Sequence, residues 1–217
     1  MKNFLYCLIL TSAFTSLLLS CSQNEIGNES FIEEEVSVKG IKSSFGMDSL
    51  AILGRRLAKE FDNHTRANGA CELTEEQSRE LVQPLINDGR QIQASIIQQI
   101  TTEAHTNQEL ISEMENLTEL DLATMSLILS ATQTTTYESQ NDFISANMMI
   151  SQEKFWPCLG MAVGIADMRG ALGKIFLNSG EITVTSFIPF IRTIGKHYLG
   201  YLGLAVTIYS FVDCLGD

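Results

Sequence analysis

The sequence predicts an all-α fold: a small helical bundle with a C-terminal glycine-rich apolar helical hairpin, after a disordered N-terminal tether. Two observations favour the bundle, because helix-capping motifs recur between residues 74 and 121 and each is followed by an apolar stripe at helical spacing. A third favours the hairpin, since two apolar segments flank a polar turn in the last third of the chain. The predicted organisation has four parts, residues 1–20, 21–46, 47–155 and 156–217.

Residues 1–20 have the layout of a secretory signal peptide. Lys2 precedes an apolar run from Phe4 to Leu19, which is too short and too weakly flanked for a stable membrane-spanning helix. The run ends in Leu18-Leu19-Ser20-Cys21, which resembles the lipobox of bacterial lipoproteins. The resemblance implies cleavage before Cys21, diacylation of its thiol by chains such as palmitate, and acylation of the new amino terminus. An ordinary signal peptide with an incidental cysteine is the alternative.

Residues 21–46 are polar and acidic and lack sustained periodicity, which predicts a flexible tether. The acids Glu25, Glu29 and Glu33–Glu35 are similar to the acidic stretch that Bacteroidetes lipoproteins carry behind the lipidated cysteine as a surface-export signal. That resemblance implies exposure on the cell surface, whereas a solvated linker explains the same residues and leaves the periplasmic side open. Both alternatives predict a lipid-anchored protein of the outer membrane.

The charge of the chain is strongly negative, with a formal net charge of −12. Residues 22–155 hold 22 acids against 9 bases, whereas residues 156–217 hold four of each. Nucleic-acid binding needs clustered Lys and Arg that contact phosphates, so we expect no nucleic-acid partner. The expected partners are the membrane, through the lipid anchor, and proteins of the envelope.

Residues 47–61 predict the first helix, because Leu50, Leu53, Leu57 and Phe61 recur on one face and either Asp48 or Ser49 can cap it. Further helices are predicted between residues 74 and 135. Three start motifs open them, at Thr74–Gln77, Thr106–Glu109 and Thr118–Asp121. Pro84 lies inside the first of these segments and predicts a stop or a kink there.

Residues 156–177 and 187–216 are apolar, glycine-rich segments on either side of the polar turn Asn178–Glu181. Charges interrupt every window of about 20 residues, so neither segment is a convincing membrane span. Gly160 and Gly164 have a spacing that lets paired helices approach closely. We therefore predict a helical hairpin with close-packed arms.

The hairpin predicts one disulfide, because it places Cys158 at the start of one arm beside Cys214 at the end of the other. An exported protein reaches an oxidising compartment, in which such a bond persists. Cys7 leaves with the signal peptide, and Cys71 is left either buried and unbonded or in an intermolecular bond.

No sequence motif of catalysis, metal binding or phosphate binding is present: there is no H-E-x-x-H, C-x-x-C, G-x-S-x-G or G-x-x-x-x-G-K. His64, His105 and His197 are scattered along the chain. We therefore expect no catalytic residues, no metal and no cofactor, and predict a lipid-anchored envelope protein with a binding or structural role rather than an enzyme. The alternative is a membrane-active protein, because the hairpin resembles pore-forming toxin domains and hydrophobic bacteriocins in composition, or an immunity-type protein.

Overall fold

Helices make up most of the structure, a computed structural model that describes residues 35–68, 73–102, 107–137, 152–176 and 181–216. The described helices are α1 (Met47–Asn68), α2 (Glu75–Thr102), α3 (Gln108–Glu115), α4 (Glu119–Tyr137), α5 (Gln152–Val163), α6 (Met168–Gly173), α7 (Val184–His197) and α8 (Tyr201–Gly216). Two short strands, β1 (Ser37–Lys39) and β2 (Glu181–Thr183), form a small antiparallel sheet. The predicted all-α fold is confirmed, with this sheet as an addition.

Helix α1 buries the predicted apolar stripe, since Leu50, Leu53 and Leu57 are all buried. The helix begins at Met47, one residue before the predicted caps. Asp48 and Ser49 therefore lie in its first turn, and the carbonyl of Gly46 accepts the N–H of Leu50.

Helix α2 begins at the predicted capping box. The side-chain oxygen of Gln77 accepts the N–H of Thr74 at 2.9 Å, and the Thr74 hydroxyl accepts the N–H of Gln77 at 3.2 Å. The predicted break at Pro84 is absent, because α2 runs on to Thr102 as one helix. The Pro84 ring is exposed, so the carbonyl that loses its N–H partner lies on the side where water can replace that partner.

Helices α3 and α4 also begin at side-chain caps. The second predicted box is shifted by one residue, because Asn107 caps α3 by accepting the N–H of Leu110 at 3.0 Å. The third box is present as predicted, and in it Thr118 and Asp121 exchange side-chain hydrogen bonds with each other's N–H groups.

Helices α2 and α4 pack closely at Gly89. A Cβ atom at this position would collide with the backbone carbonyl of Leu122 in α4, so only glycine lets the two helices approach to this distance. Leu85, Ile92 and Met125 are buried in the same core. The closest helix contact of this kind therefore lies outside the glycine-rich C-terminal region.

Strand β1 changes the interpretation of the predicted tether 21–46. Residues 35–46 belong to the folded body, in which Val38 pairs with Ile182 of β2 and is buried. The Lys39 ammonium lies 2.7 Å from the Glu181 carboxylate, and the Gln99 side chain of α2 bonds both the N–H and the carbonyl of Lys39. Val36 and Val38, which alternate with Ser37 and Lys39, carry this strand signal behind the acidic run.

Each arm of the predicted hairpin contains two helices instead of one. Helix α5 ends at a Schellman-type turn, in which the N–H of Ile165 bonds the carbonyl of Gly160 at 2.8 Å and Gly164 adopts a positive φ of 76°. Gly160 and Gly164 therefore end a helix and do not pair the two arms. In the second arm, α7 and α8 are bent by 99° at the break between them. Residues 177–180, most of the predicted turn, lie outside the described residues.

Most of the large apolar side chains of this region are buried. Phe155 of α5 packs edge-on against Phe211 of α8, with ring centroids 5.6 Å apart, and Phe187 of α7 is also fully buried. Among the described residues, no single helix has both the length and the apolar composition to cross a membrane. Helices α7 and α8 reach that length and composition only as a bent pair.

Candidate functional site

An apolar groove on the surface of α5, α6 and α8 is the candidate site, named here the α5 groove. It contains two depressions, of about 490 and 290 Å³. The larger is lined by residues that include Trp156, Pro157, Met161, Ile165, Met168 and Arg169. The smaller is lined by residues that include Cys158, Met161, Ala162, Val206, Ser210 and Cys214. Met161 lines both depressions, so they adjoin each other.

Two apolar side chains in the lining of the α5 groove are exposed. The Met161 side chain is 71% exposed and the Val206 side chain 44%, and both are among the few large exposed hydrophobic side chains in the described residues. Single exposed apolar side chains are common on soluble proteins, whereas large contiguous apolar patches are typical of surfaces that contact another molecule.

Basic side chains lie beside the groove. Arg169 lines the larger depression, and Lys154 lies on α5 seven residues before Met161, two turns along the same helix face. Residues 152–176 carry three bases against two acids, in a chain whose net charge is −12. The carboxylate of one of these acids, Asp167, accepts the N–H of Gly170 at 2.9 Å and caps α6.

A disulfide between Cys158 and Cys214 joins α5 to α8 under the smaller depression, with the two Cα atoms 5.7 Å apart. Cys158 is buried and Cys214 half-buried. The two cysteines meet because α5 packs directly against α8. Cys21, the predicted lipidation site, and Cys71 lie outside the described residues.

A second polar site lies inside the bundle, around the carboxylate of Asp88 in α2. This side chain is only 4% exposed and accepts hydrogen bonds from the Ser43 hydroxyl at 2.6 Å, the Ser126 hydroxyl at 2.7 Å and both the N–H and the hydroxyl of Ser44. The Ser43 hydroxyl also lies 2.7 Å from that of Ser130. This Asp88 cluster ties residues 43 and 44 to α2 and α4.

Hydrogen bonding decides the protonation of Asp88. Burial alone would raise the pKa of its carboxyl, but the donors from Ser43, Ser44 and Ser126 outweigh burial and hold the pKa below its ordinary value. The ionised carboxylate is the form that accepts all of these bonds. Both carboxylate oxygens of Asp88 are therefore already engaged by protein donors, and the group serves as a structural connection between the segments that donate to it.

A third polar site, the Glu119 cluster, joins α2 to the N-terminal ends of α4 and α8. Arg79 holds the Glu119 carboxylate with two hydrogen bonds of 2.8 and 3.0 Å, and Arg90 and the Tyr201 hydroxyl add bonds of 2.5 and 3.0 Å. The bonds from Arg79 lower the pKa of Glu119 against the opposing effect of burial. Glu75 completes the junction by accepting the N–H of Tyr201 at 2.8 Å.

Three buried hydroxyl groups have no hydrogen-bond partner among the described residues: those of Ser78, Thr183 and Tyr198. Burial raises the pKa of Tyr198 well above its ordinary value. These groups lie in different elements and none of them is among the lining residues of the α5 groove.

The histidines noted in the sequence do not form a site in the described residues. His197 is exposed at the end of α7, whereas His105 and the side chain of His64 are not described. Within the described ranges, no three His, Cys, Asp or Glu side chains lie close enough together to hold a metal ion.

Sequence reasoning missed both the α5 groove and the Asp88 cluster. Asp88 had a readable signal, because it falls on the apolar stripe between Leu85 and Ile92, where a charged residue needs buried partners. The groove had none, since exposure of Met161 depends on how α5 packs against α8.

Comparison of the chain with models of known protein families, with curated proteins and with solved structures found no match. Functional interpretation therefore depends on the sequence and on the geometry of the three sites.

Proposed function

We propose that this chain is a lipid-anchored cell-envelope protein of the outer membrane with a binding or structural role, and that the α5 groove is its contact surface. The lipobox-like sequence Leu18–Cys21 supports the anchor. Two or more acyl chains on one residue give stable membrane attachment, whereas a single chain binds reversibly. The observation that carries the contact role is the exposed apolar lining at Met161 and Val206.

The two described polar clusters support a binding or structural role for the protein better than a catalytic one. The carboxylate of Asp88 is engaged by serine donors, and that of Glu119 is engaged by two arginines and a tyrosine. Each cluster joins separate helices, so its side chains act as structural connections. The α5 groove, by contrast, is lined mainly by apolar groups, which suit contact with another apolar surface.

Metabolic labelling with an alkyne fatty acid tests the anchor. The wild-type chain is expected to take up the label, and the Cys21→Ala variant is expected to lose it. Cys71→Ala serves as the matched control and should keep full labelling. Equal labelling of wild type and Cys21→Ala would contradict the proposal. Digestion of intact cells by external protease then distinguishes a surface location from a periplasmic one.

A membrane-active protein is the second candidate, favoured by the combined length and composition of α7 and α8. Insertion would require these helices to leave the core, in which Phe187, Leu204 and Phe211 are fully buried. The Cys158–Cys214 disulfide opposes that movement because it holds α8 to α5. Dye release from liposomes by the full chain, with and without reductant, tests this candidate, and absence of leakage at every protein-to-lipid ratio contradicts it.

A further inference from the structure

We propose that the α5 groove is a membrane-docking surface that rests on the anionic phospholipid headgroups of the bilayer in which Cys21 is anchored. This inference rests on the proposed lipid anchor. It adds an orientation, because it states which side of the helical body faces the membrane.

The chemistry of the groove matches that of a bilayer interface. Trp156, Pro157 and Met161 supply a partly exposed apolar surface, and Trp is a residue that prefers the boundary between hydrocarbon and headgroups. Lys154 and Arg169 stand beside this surface, and neither forms an ion pair with a residue that the structure describes. The one acid among the lining residues, Asp167, has its carboxylate engaged by the N–H of Gly170. Apolar groups flanked by cations are the pattern of interfacial membrane contact.

The distribution of charge disfavours the α2–α4 side for this role. Residues 75–132 hold ten acids against Arg79 and Arg90, and both of these arginines are engaged by Glu119. An anionic bilayer therefore repels the α2–α4 side and attracts the α5–α6 side. Helix α1 also presents exposed bases, Arg55, Arg56 and Lys59, but it supplies none of the residues that line the two depressions. The groove with Arg169 is therefore the side that we place against headgroup phosphates.

The length of the chain before the folded body also favours docking. Thirteen residues separate Cys21 from Glu35, where the description of the body begins. Fully extended, the 14 steps between Cys21 and Glu35 reach at most about 50 Å. An anchor this short keeps the body at a high effective concentration near the bilayer, so weak contacts at the groove suffice for docking.

Trp156 is the only tryptophan of the chain and reports directly on the groove. The experiment uses the full acylated chain in vesicles of phosphatidylethanolamine and phosphatidylglycerol that contain lipids brominated near the headgroup. Docking predicts strong quenching of Trp156 fluorescence, which weakens in phosphatidylcholine vesicles and at high salt. Dye retention in the same vesicles separates surface docking from insertion.

Charge reversal provides matched variants. Arg169→Glu is expected to reduce the docked population by roughly fivefold or more, because it removes one cationic contact with an anionic surface and adds repulsion. Met161→Asp should reduce it similarly. The controls are Arg56→Glu and Ile52→Asp on the exposed side of α1, neither of which lines the groove, and both should dock like wild type. Retention of the Cys158–Cys214 disulfide and of helical circular dichroism shows that each variant is folded.

The outcomes separate the two proposals. A chain that is vesicle-bound through Cys21, yet shows no Trp156 quenching, overturns membrane docking and leaves the anchor intact. A chain that lacks acylation contradicts the proposed anchor. Quenching of Trp156 in that chain by the same vesicles still supports docking, and the absence of quenching overturns it. Protection of Trp156 by an acidic envelope protein, without quenching by brominated lipid, also overturns docking in favour of a protein partner.

Discussion

The region of α1–α4 and the region of α5–α8 are both helical, but different interactions hold them together. In α1–α4, side-chain caps such as Thr74 and Thr118 begin the helices, and the buried Asp88 carboxylate links them. In α5–α8, packed aromatic rings and the Cys158–Cys214 disulfide take that role. The difference teaches that one helical body can combine an acidic half, connected by polar bonds, with a cross-linked half whose residues 156–217 hold four acids and four bases.

The largest expected effect comes from removing the disulfide in the α5–α8 region. The cysteines are 56 residues apart, and closing a loop of that size stabilises the folded state by about 4 kcal/mol in the chain-entropy model. Replacement of both by serine should lower the free energy of unfolding by about that amount. Denaturant unfolding without reductant measures it, and an unchanged midpoint would show that the apolar core alone suffices.

The polar link of the α1–α4 region is tested by Asp88→Ala. The substitution leaves the hydroxyls of Ser43, Ser44 and Ser126 without their shared acceptor, and we expect a loss on the order of 3 kcal/mol. Hydrogen exchange should show the loss of protection first in β1 and the residues that follow it. If protection falls first in α5–α8, the two regions do not have separate supports.

Asp88 also predicts a pH dependence. Its pKa is lowered in the folded state, so its contribution to stability is complete above the unfolded-state pKa of about 3.9 and is lost as the pH falls through the folded-state value. The free energy of unfolding should therefore decrease below about pH 4. Asp88→Asn should flatten this slope, measured by urea unfolding between pH 6 and 2, whereas the remaining slope is expected to contain the contribution of Glu119.

A smaller effect compares two threonines, one in each region. The buried Thr183 hydroxyl has no hydrogen-bond partner among the residues that the structure describes, so Thr183→Val should be neutral or stabilise the protein by up to about 1 kcal/mol. Thr118→Val removes the hydroxyl that caps α4 and should destabilise by about 1 kcal/mol. Thermal unfolding of the two variants measures both changes in stability. Equal shifts of the melting temperature in the same direction would contradict the different roles assigned to the two hydroxyls.

Local signals made much of α1–α4 predictable. Thr74 and Gln77 lie three residues apart, so the interaction that begins α2 can be read within one turn. The predicted break at Pro84 was wrong because the effect of a proline on a helix depends on whether that helix face is solvated, which is a tertiary property. The residues of β1 were predicted to belong to the tether because the acidic run before them obscures a short alternation of apolar and polar residues. The partner strand β2 also lies 144 residues away along the chain, so no local signal pairs the two strands.

Long-range packing limited prediction in the C-terminal region and at the candidate site. The glycines at 160 and 164 have the spacing of a helix-pairing motif, yet they form the turn that ends α5. Met161 resembles a core residue in the sequence and becomes a surface residue because of the side of α5 that packs on α8. No local pattern distinguishes these outcomes.

Strand β1 has a mechanical consequence for an anchored protein. Tension on the chain from Cys21 would enter the folded body near Val36, whose carbonyl accepts the N–H of Val184 at 2.8 Å. The pull would load the β1–β2 ladder first and the Asp88 cluster next, since Ser43 and Ser44 follow β1. With the proposed anchor at Cys21, the load would therefore pass through the Asp88 cluster into α2 and α4, which supply Asp88 and Ser126.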